Sequence, residues 1–325
     1  MRRFEHIVPN TLDGALAALS KGDNARILAG GTDLLGEMKR GAISPNRVVS
    51  LKAAEGLDAI RQQPDGTLTI GALVTLDQVA EHPLVARHCP MLIQAIRQTA
   101  SPQIRNVATL GGNLCQRPRC TYYRHPDFPC IRKHGEICYA VEGQNRYHAI
   151  FGGYRCFFVH PSDPAPALMA LNAQVQIVHA DDARTVSLGE FFTGPRENLS
   201  QENALSPHEI LTEIRIPPAP LGALGTYIKV AERQAVDFAL ASVALHLARQ
   251  EGRVSYASVV LGGVASVPWR LPNVESLLMG RQLTDDTILR ACEIAAEGAH
   301  PMRHNTYKVS LVRGILKKAL QRLRE

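Results

Sequence analysis

Residues 26–35, RILAGGTDLL, run an apolar strand directly into two glycines and out into a helix. Arg26–Leu28 is the strand, Gly30 and Gly31 form the turn, and the helix over Leu35–Lys39 stops at Gly41. Paired glycines leave backbone N–H groups unobstructed, and a helix start next to them favours an anion such as a pyrophosphate. Thr32 adds a hydroxyl donor. The text is neither G-x-G-x-x-G nor a P-loop, so it reads equally as a tight strand–helix turn with no ligand. Working outward, His6–Val8 is a strand. Thr11 caps a helix whose Leu12, Ala15, Leu16 and Leu19 share one face, and Arg47–Leu51 is another strand. Residues 1–56 therefore form a small α/β unit.

A second glycine pair follows at residues 101–114, SPQIRNVATLGGNL, flanked by Thr109 and Asn113. Before it come strands at Leu68–Ile70 and Ala72–Thr75 and helices at Leu76–Glu81 and Met91–Thr99. Two Gly-Gly turns with hydroxyl and amide neighbours point to a ligand site split between them. Further on, HPSDP at 160–164 precedes a helix over Ala165–Leu171. There Asp163 either accepts from a ribose or other hydroxyl or caps the helix. Strands at Gln174–Val178 and Thr185–Leu188 flank an Asp181-Asp182 turn, and Glu209–Ile216 alternates as a strand. The run PPAPLGALG at 217–225 marks a boundary. Beyond it lie a strand at Tyr227–Val230, an apolar helix or strand over Phe238–Arg249, and a strand at Val254–Gly262. Helices at Ile288–Gly298 and Leu311–Leu323 close the chain. The divisions are thus 1–56, 57–217 and 222–325.

Between the second glycine pair and the HPSDP stretch, residues 114–156 hold Cys115, Cys120, Cys130, Cys138 and Cys156, five of the seven cysteines. Arg117, Arg119, Arg124, Arg132, Lys133 and Arg146 lie there too. The segment lacks periodicity and is rich in Pro and Gly, so it is a long loop held from inside. Disulfides suit small secreted domains, which this is not. Zinc sites favour C-x2-C pairs, and here the gaps are x4, x9, x7 and x17. An iron–sulfur cluster needs four thiolates on a pliable backbone, which this loop allows. Cluster, zinc and redox-active or free thiols all remain open on spacing alone.

The 325 residues are 45% hydrophobic and 20% charged, with mean hydropathy near zero and formal net charge +6. This is the composition of a globular protein, with no apolar run near the roughly 18–20 residues that span a bilayer. The opening MRRFEHIVPN lacks an apolar stretch after its arginines, so no export signal is expected. The mild positive charge, without aromatics interleaved in a basic motif, implies no nucleic-acid partner.

Four segments in order, AGGTDLL (29–35), IRNVATLGGNL (104–114), HPSD (160–163) and YIKVAERQAVDFALASVA (227–244), resemble the FAD-binding medium subunits of molybdenum hydroxylases. That is the xanthine dehydrogenase and carbon monoxide dehydrogenase family, and the similarity spans essentially the whole chain. It implies an α/β plus α+β fold. A two-subdomain FAD-binding domain of the vanillyl-alcohol oxidase type would be followed by a smaller α+β C-terminal domain. It places Leu28, Ala29, Gly30, Gly31, Thr32, Asp33 and Leu34 around the FAD pyrophosphate, with Thr109, Gly112 and Asn113 as a second lobe. Asp163 would lie on the ribose side and Lys229 near the isoalloxazine, although from the residues alone Lys229 is a surface strand lysine.

The cysteine loop departs from the common family pattern, in which GGNL connects briefly to the SD motif. Such an insertion resembles two branches whose flavin subunit carries an extra [4Fe–4S] cluster: 4-hydroxybenzoyl-CoA reductases and periplasmic-type aldehyde oxidoreductases. The resemblance makes Cys120, Cys130, Cys138 and Cys156 the ligands and Cys115 the spare, and QRPRC (116–120) sides with the aldehyde branch. It further implies a large subunit with the molybdenum cofactor and a small [2Fe–2S] subunit, in a heterotrimer or its dimer. Electrons would pass through FAD to an external acceptor such as a ferredoxin, steered by the basic loop. No catalytic acid, base or nucleophile is expected in this chain. The alternatives are inward electron flow, as in the reductase, and a zinc-stapled nucleic-acid module. The expected compartment is the cytoplasm, or the periplasm if a signal-bearing partner carries the chain across.

Overall fold

A computed structural model describes residues 1–21, 24–180, 182–233 and 236–324. Asp181 of the expected turn and Gln234-Ala235 of the fourth motif lie outside the described residues. The described residues form three sheets. The first holds strands Glu5–Ile7, Arg47–Ser50 and Ala25–Leu28 in that spatial order, all parallel. Parallel neighbours need crossovers, which helices Leu12–Ser20 and Leu34–Arg40 supply. The Thr11 side chain accepts from the Gly14 N–H as the first helix begins, and Ala15, Leu16 and Leu19 bury against Val49 and Leu51. Gly41 ends the second helix at φ 74°, and its N–H bonds back to the Glu37 and Met38 carbonyls.

The second sheet is antiparallel, in the order Ile60–Gln62, Leu68–Gly71, Ile210–Ile216, Gln174–Val178, Ala183–Ser187. The expected strand Ala72–Thr75 is instead a turn. The Ala72 N–H still bonds the Thr212 carbonyl of the next strand, but the Leu73 N–H goes to the Leu57 carbonyl and the Ala72 carbonyl accepts from Gly111, so the ladder ends there. Thr75 then starts helix Leu76–Glu81 with a reciprocal side-chain cap to Gln78. Prolines at the first helical position divide the next stretch into Pro83–His88 and Pro90–Arg97.

The third sheet runs Trp269–Arg270, Arg253–Gly262, Ala241–Gln250, Leu224–Val230, again antiparallel. Residues 238–249, ambiguous in the sequence, contribute the strand Ala241–Gln250. Its positions 241–248 are all buried, which is why they show no alternation. One face (Val243, Leu245, Leu247) packs with helices Pro272–Leu278, Asp285–Ile294 and Tyr307–Arg324. On the other, Ala244, Val260 and Tyr227 join the core formed with helices Pro90–Arg97 and Pro164–Ala170.

The closing helix carries a lysine in its core-facing stripe. Lys308 is 0% exposed, and its ammonium donates to the Gly263 carbonyl at 2.7 Å and the Tyr147 carbonyl at 3.1 Å. Burial lowers this ammonium to about 7. Gly263 turns at φ +73°, and a Cβ there would sit 2.7 Å from the Ala239 carbonyl oxygen. Strained backbone and overpacking together should make Gly263→Ala cost about 2–4 kcal/mol. Denaturant titration of wild type and variant measures this, and a change below about 0.5 kcal/mol would contradict the geometry.

Candidate functional site

The structure brings the two glycine turns into contact. A Cβ on Gly30 would lie 2.1 Å from the Val107 carbonyl oxygen, and one on Gly112 would lie 3.7 Å from the Ala29 Cβ. Gly31 turns at φ +74°, which releases the chain into the helix beginning at Leu34. Among the described residues, none accepts from the backbone N–H groups of Gly30, Gly31, Thr32, Asp33 or Leu34. Five consecutive free amides on a partly sheltered turn form a cradle suited to a pyrophosphate. The second lobe is built differently, because its amides are already satisfied. Helix Leu110–Leu114 opens at Thr109, whose hydroxyl accepts from the Gly112 N–H at 3.1 Å. What this lobe can offer a ligand is the Thr109 hydroxyl proton and the Asn113 side-chain amide.

Asn113 Oδ1 accepts from the Ser162 hydroxyl at 2.6 Å, which draws HPSD alongside the second lobe. Ser162, not Asp163, caps helix Pro164–Ala170, by accepting from the Ala165 N–H. Asp163 is 3% exposed and accepts from the Tyr227 hydroxyl at 2.8 Å and the Lys229 ammonium at 2.7 Å. Burial raises the Asp163 carboxyl, while Lys229 and Tyr227 draw it back. Lys229 is therefore no surface lysine. Its side chain is 5% exposed, and it also donates to the Gln98 carbonyl. Sequence periodicity could not show this, because the partner carboxylate lies 66 residues away.

The cysteine loop folds around its own thiols. An isolated bridge sets Cys130 beside Ile137, bringing it next to Cys138. The Cys138 and Cys156 thiols act on each other, and this interaction, aided at Cys138 by the neighbouring N–H groups of Ala140, Phe157 and Val141, lowers Cys138 to about 6 and raises Cys156. Cys120 lies near Cys138 and Cys130. Burial pushes it up to about 11 against the pull of the Tyr123 and Tyr122 N–H groups. Cys115 stands apart beside Glu202, pushed up to about 12 by burial. Among the described residues no three His, Cys, Asp or Glu side chains close on one ion-sized point. Four free thiols on one loop suit an iron–sulfur cluster in donor chemistry.

Four of the loop arginines point inward, which corrects their expected role in steering a partner. The Arg124 and Arg119 guanidiniums reach Asp33 Oδ1 at 2.7 and 3.0 Å, and the Arg117 N–H donates to Asp33 Oδ2 at 2.7 Å. Arg117 also meets Glu202 at 3.0 Å, and Arg132, with a side chain 1% exposed, bonds the same carboxylate. Burial raises the carboxyls of Glu37 and Glu202, which Arg124 and Arg117 respectively oppose. Asp33, expected only as part of the anion turn, thus anchors the cysteine loop to that turn.

The family model described as the FAD binding domain in molybdopterin dehydrogenase matches residues 2–219. That described as the CO dehydrogenase flavoprotein C-terminal domain matches residues 226–323. The chain belongs to the FAD-binding medium subunits of the molybdenum hydroxylases. Members of this family are flavin subunits of oxidoreductases whose substrate site lies on a partner subunit, and this chain is one of them. The assignment removes the zinc-stapled nucleic-acid module. The aldehyde oxidoreductase FAD-binding subunit PaoB of Escherichia coli K12 is 36% identical, with 100% of this chain and 99% of PaoB covered. The nicotinate dehydrogenase FAD-subunit of Eubacterium barkeri is 27% identical, with 98% and 95% covered. A structure of carbon monoxide dehydrogenase from Hydrogenophaga pseudoflava superposes with a TM-score of 0.79 at 25% identity, covering 98% of this chain and 96% of that one. Quinoline 2-oxidoreductase from Pseudomonas putida 86 gives 0.77 at 25% identity, with 100% and 99% covered. The expected α/β plus α+β FAD-binding fold is therefore the observed one. No described helix is long and apolar enough to cross a membrane.

His160, which opens the HPSD segment of this flavin subunit, is buried with its ring edge-on to Phe192 at 4.6 Å. Burial pushes its imidazole down to about 4. Between pH 6.5 and 4 the unfolded chain binds a proton that the folded chain does not, so stability falls as pH drops, by up to about 3 kcal/mol. His160→Gln should flatten the pH slope of unfolding free energy in that window by close to one proton. Denaturant titrations at successive pH values would show it, and parallel slopes for wild type and variant would refute the assignment.

Proposed function

We propose that this chain is the FAD- and [4Fe–4S]-carrying electron-transfer subunit of a molybdenum-dependent aldehyde oxidoreductase. It would take electrons from a [2Fe–2S] subunit and deliver them to an external acceptor, for which a ferredoxin is a suitable class. The observation that carries the reading is the cysteine loop, whose Cys120, Cys130, Cys138 and Cys156 lie together on a segment tied through Asp33 to the glycine turn. Similarity to PaoB along the full length of both chains supports the aldehyde branch. No feature of the site favours the inward-flowing reductase.

When bound, FAD exchanges electrons singly or in pairs and a cluster exchanges them singly, so together they supply the means to join carriers of both kinds. The chain's own residues hold and orient these groups. The Gly30–Leu34 amides, with Leu28 and Ala29 behind them, would receive the pyrophosphate. Thr109, Gly112 and Asn113 would close the other side. Asp163 would serve the ribose side of the site while fixing Lys229 for the isoalloxazine. Residues 1–56 and 57–217 would be the two FAD subdomains and 222–325 the C-terminal domain. A large molybdenum-cofactor subunit and a small [2Fe–2S] subunit complete the assembly. The compartment would follow those partners, cytoplasmic or, with a signal-bearing partner, periplasmic.

Anaerobic purification of the complex with iron, sulfide and flavin counts and EPR tests the reading. About four irons beyond those of the small subunit are expected. They should disappear in Cys120→Ser and Cys138→Ser while flavin stays. Flavin without additional iron in the wild type would overturn the cluster. Gly30→Ala should do the converse: its Cβ must push the turns apart against the Val107 carbonyl, so flavin should be lost while the additional iron stays. Full flavin retention would remove the pyrophosphate role of that turn.

A further inference from the structure

His148 is a buried histidine that neither the family fold nor the flavin site explains. Its Nε2 lies 3.3 Å from the Cys120 sulfur, and among the described residues that sulfur is the only hydrogen-bonding partner of the ring, since Nδ1 is buried with none. The surrounding backbone is fastened on both sides. The His148 N–H bonds the Asn145 carbonyl at 3.0 Å. The His148 and Ala149 carbonyls accept from the Asn305 amide at 3.1 and 3.3 Å, and the Tyr147 carbonyl accepts from Lys308. Asn145 Oδ1 in turn accepts from the His304 N–H at 2.9 Å. Asn305 is 0% exposed and is itself held by the Met302 N–H at 2.6 Å. The start of the closing helix thus sets the position of one imidazole against one cysteine.

We propose that His148 donates its Nε2–H to the Cys120 sulfur and so raises the reduction potential of the cluster that this cysteine would ligate. This rests on the cluster reading above. A metal-bound thiolate only accepts hydrogen bonds, so Nε2 is the donor whether the ring carries one proton or two. Uptake of one electron by the cluster adds one negative charge to the site, with no bond or proton moving at His148. A donor aimed at a ligand sulfur stabilises the more negative state more strongly than the less negative one, so its presence shifts the potential upward. Among the described residues, His148 Nε2 is the one side-chain group within hydrogen-bonding distance of that sulfur, so a substitution at His148 removes the donor directly.

The test is an EPR-monitored redox titration, with mediator dyes, of the purified complex bearing wild-type chain, His148→Ala or His148→Gln. His148→Ala should retain the additional iron. At the wild-type midpoint it should show about a tenfold lower ratio of reduced to oxidised cluster, equivalent to about 59 mV for one electron. In His148→Gln the side-chain N–H can reach the same sulfur, so its midpoint should return toward wild type. Unchanged potential in His148→Ala with iron retained would overturn the proposal. Loss of the additional iron in both variants would overturn it too, making His148 a residue that holds the loop closed. A wild-type complex without additional iron would refute the cluster reading itself, a result seen before any variant is compared.

Discussion

The junction at Asp33 is the interaction on which the arrangement of the site depends. One carboxylate, on the residue that opens a helix, meets two guanidiniums and a backbone N–H of the cysteine loop. Desolvated charges of this kind are unfavourable singly and tolerable only when every partner is present. Glu202 does the same for Arg117 and Arg132 on the other side. The loop, which has little regular structure, is therefore fixed in good part by charge pairing, alongside the packing of Tyr122, Phe128 and Tyr139 on one another. Its thiols acquire defined neighbours because its arginines have defined counterions.

This architecture explains which features the sequence made legible. The strand–turn–helix at 26–35, the second glycine pair and the irregular cysteine loop are local, and each could be read from residue type and spacing. The strand Ala241–Gln250 was ambiguous because burial on both faces erases alternation. Lys229 looked like a surface lysine, and the loop arginines looked like a docking face, for a common reason. Their partners, Asp163, Asp33 and Glu202, lie 66 or more residues away, and periodicity carries no information about contacts at that range. Ala72–Thr75 departs from the expected strand because, beyond the Ala72 N–H, its hydrogen bonds go to Leu57 and to the second glycine turn rather than along the ladder.

The C-terminal unit also takes a larger part in the site than a flavin-domain appendage would. Tyr227 and Lys229 come from its first strand, and Asn305 and Lys308 from its last helix and the turn before it. The first pair fixes Asp163 behind the glycine turns, and the second pair fixes the backbone around His148. One unit thereby sets the geometry of two neighbouring regions.

That the anchors of the 145–149 backbone lie in residues 302–308 has a consequence for how the molecule comes into being. A chain made from its amino end exposes the thiol loop long before its fastenings exist, since 157 residues separate His148 from Asn305. The first two sheets can form meanwhile, and the charge junction at Asp33 can draw the loop into place. Its closure waits for residues 302–308, which lead into the closing helix. Until residues 302–308 dock, the cysteines stay open to thiol chemistry that the folded loop shuts out.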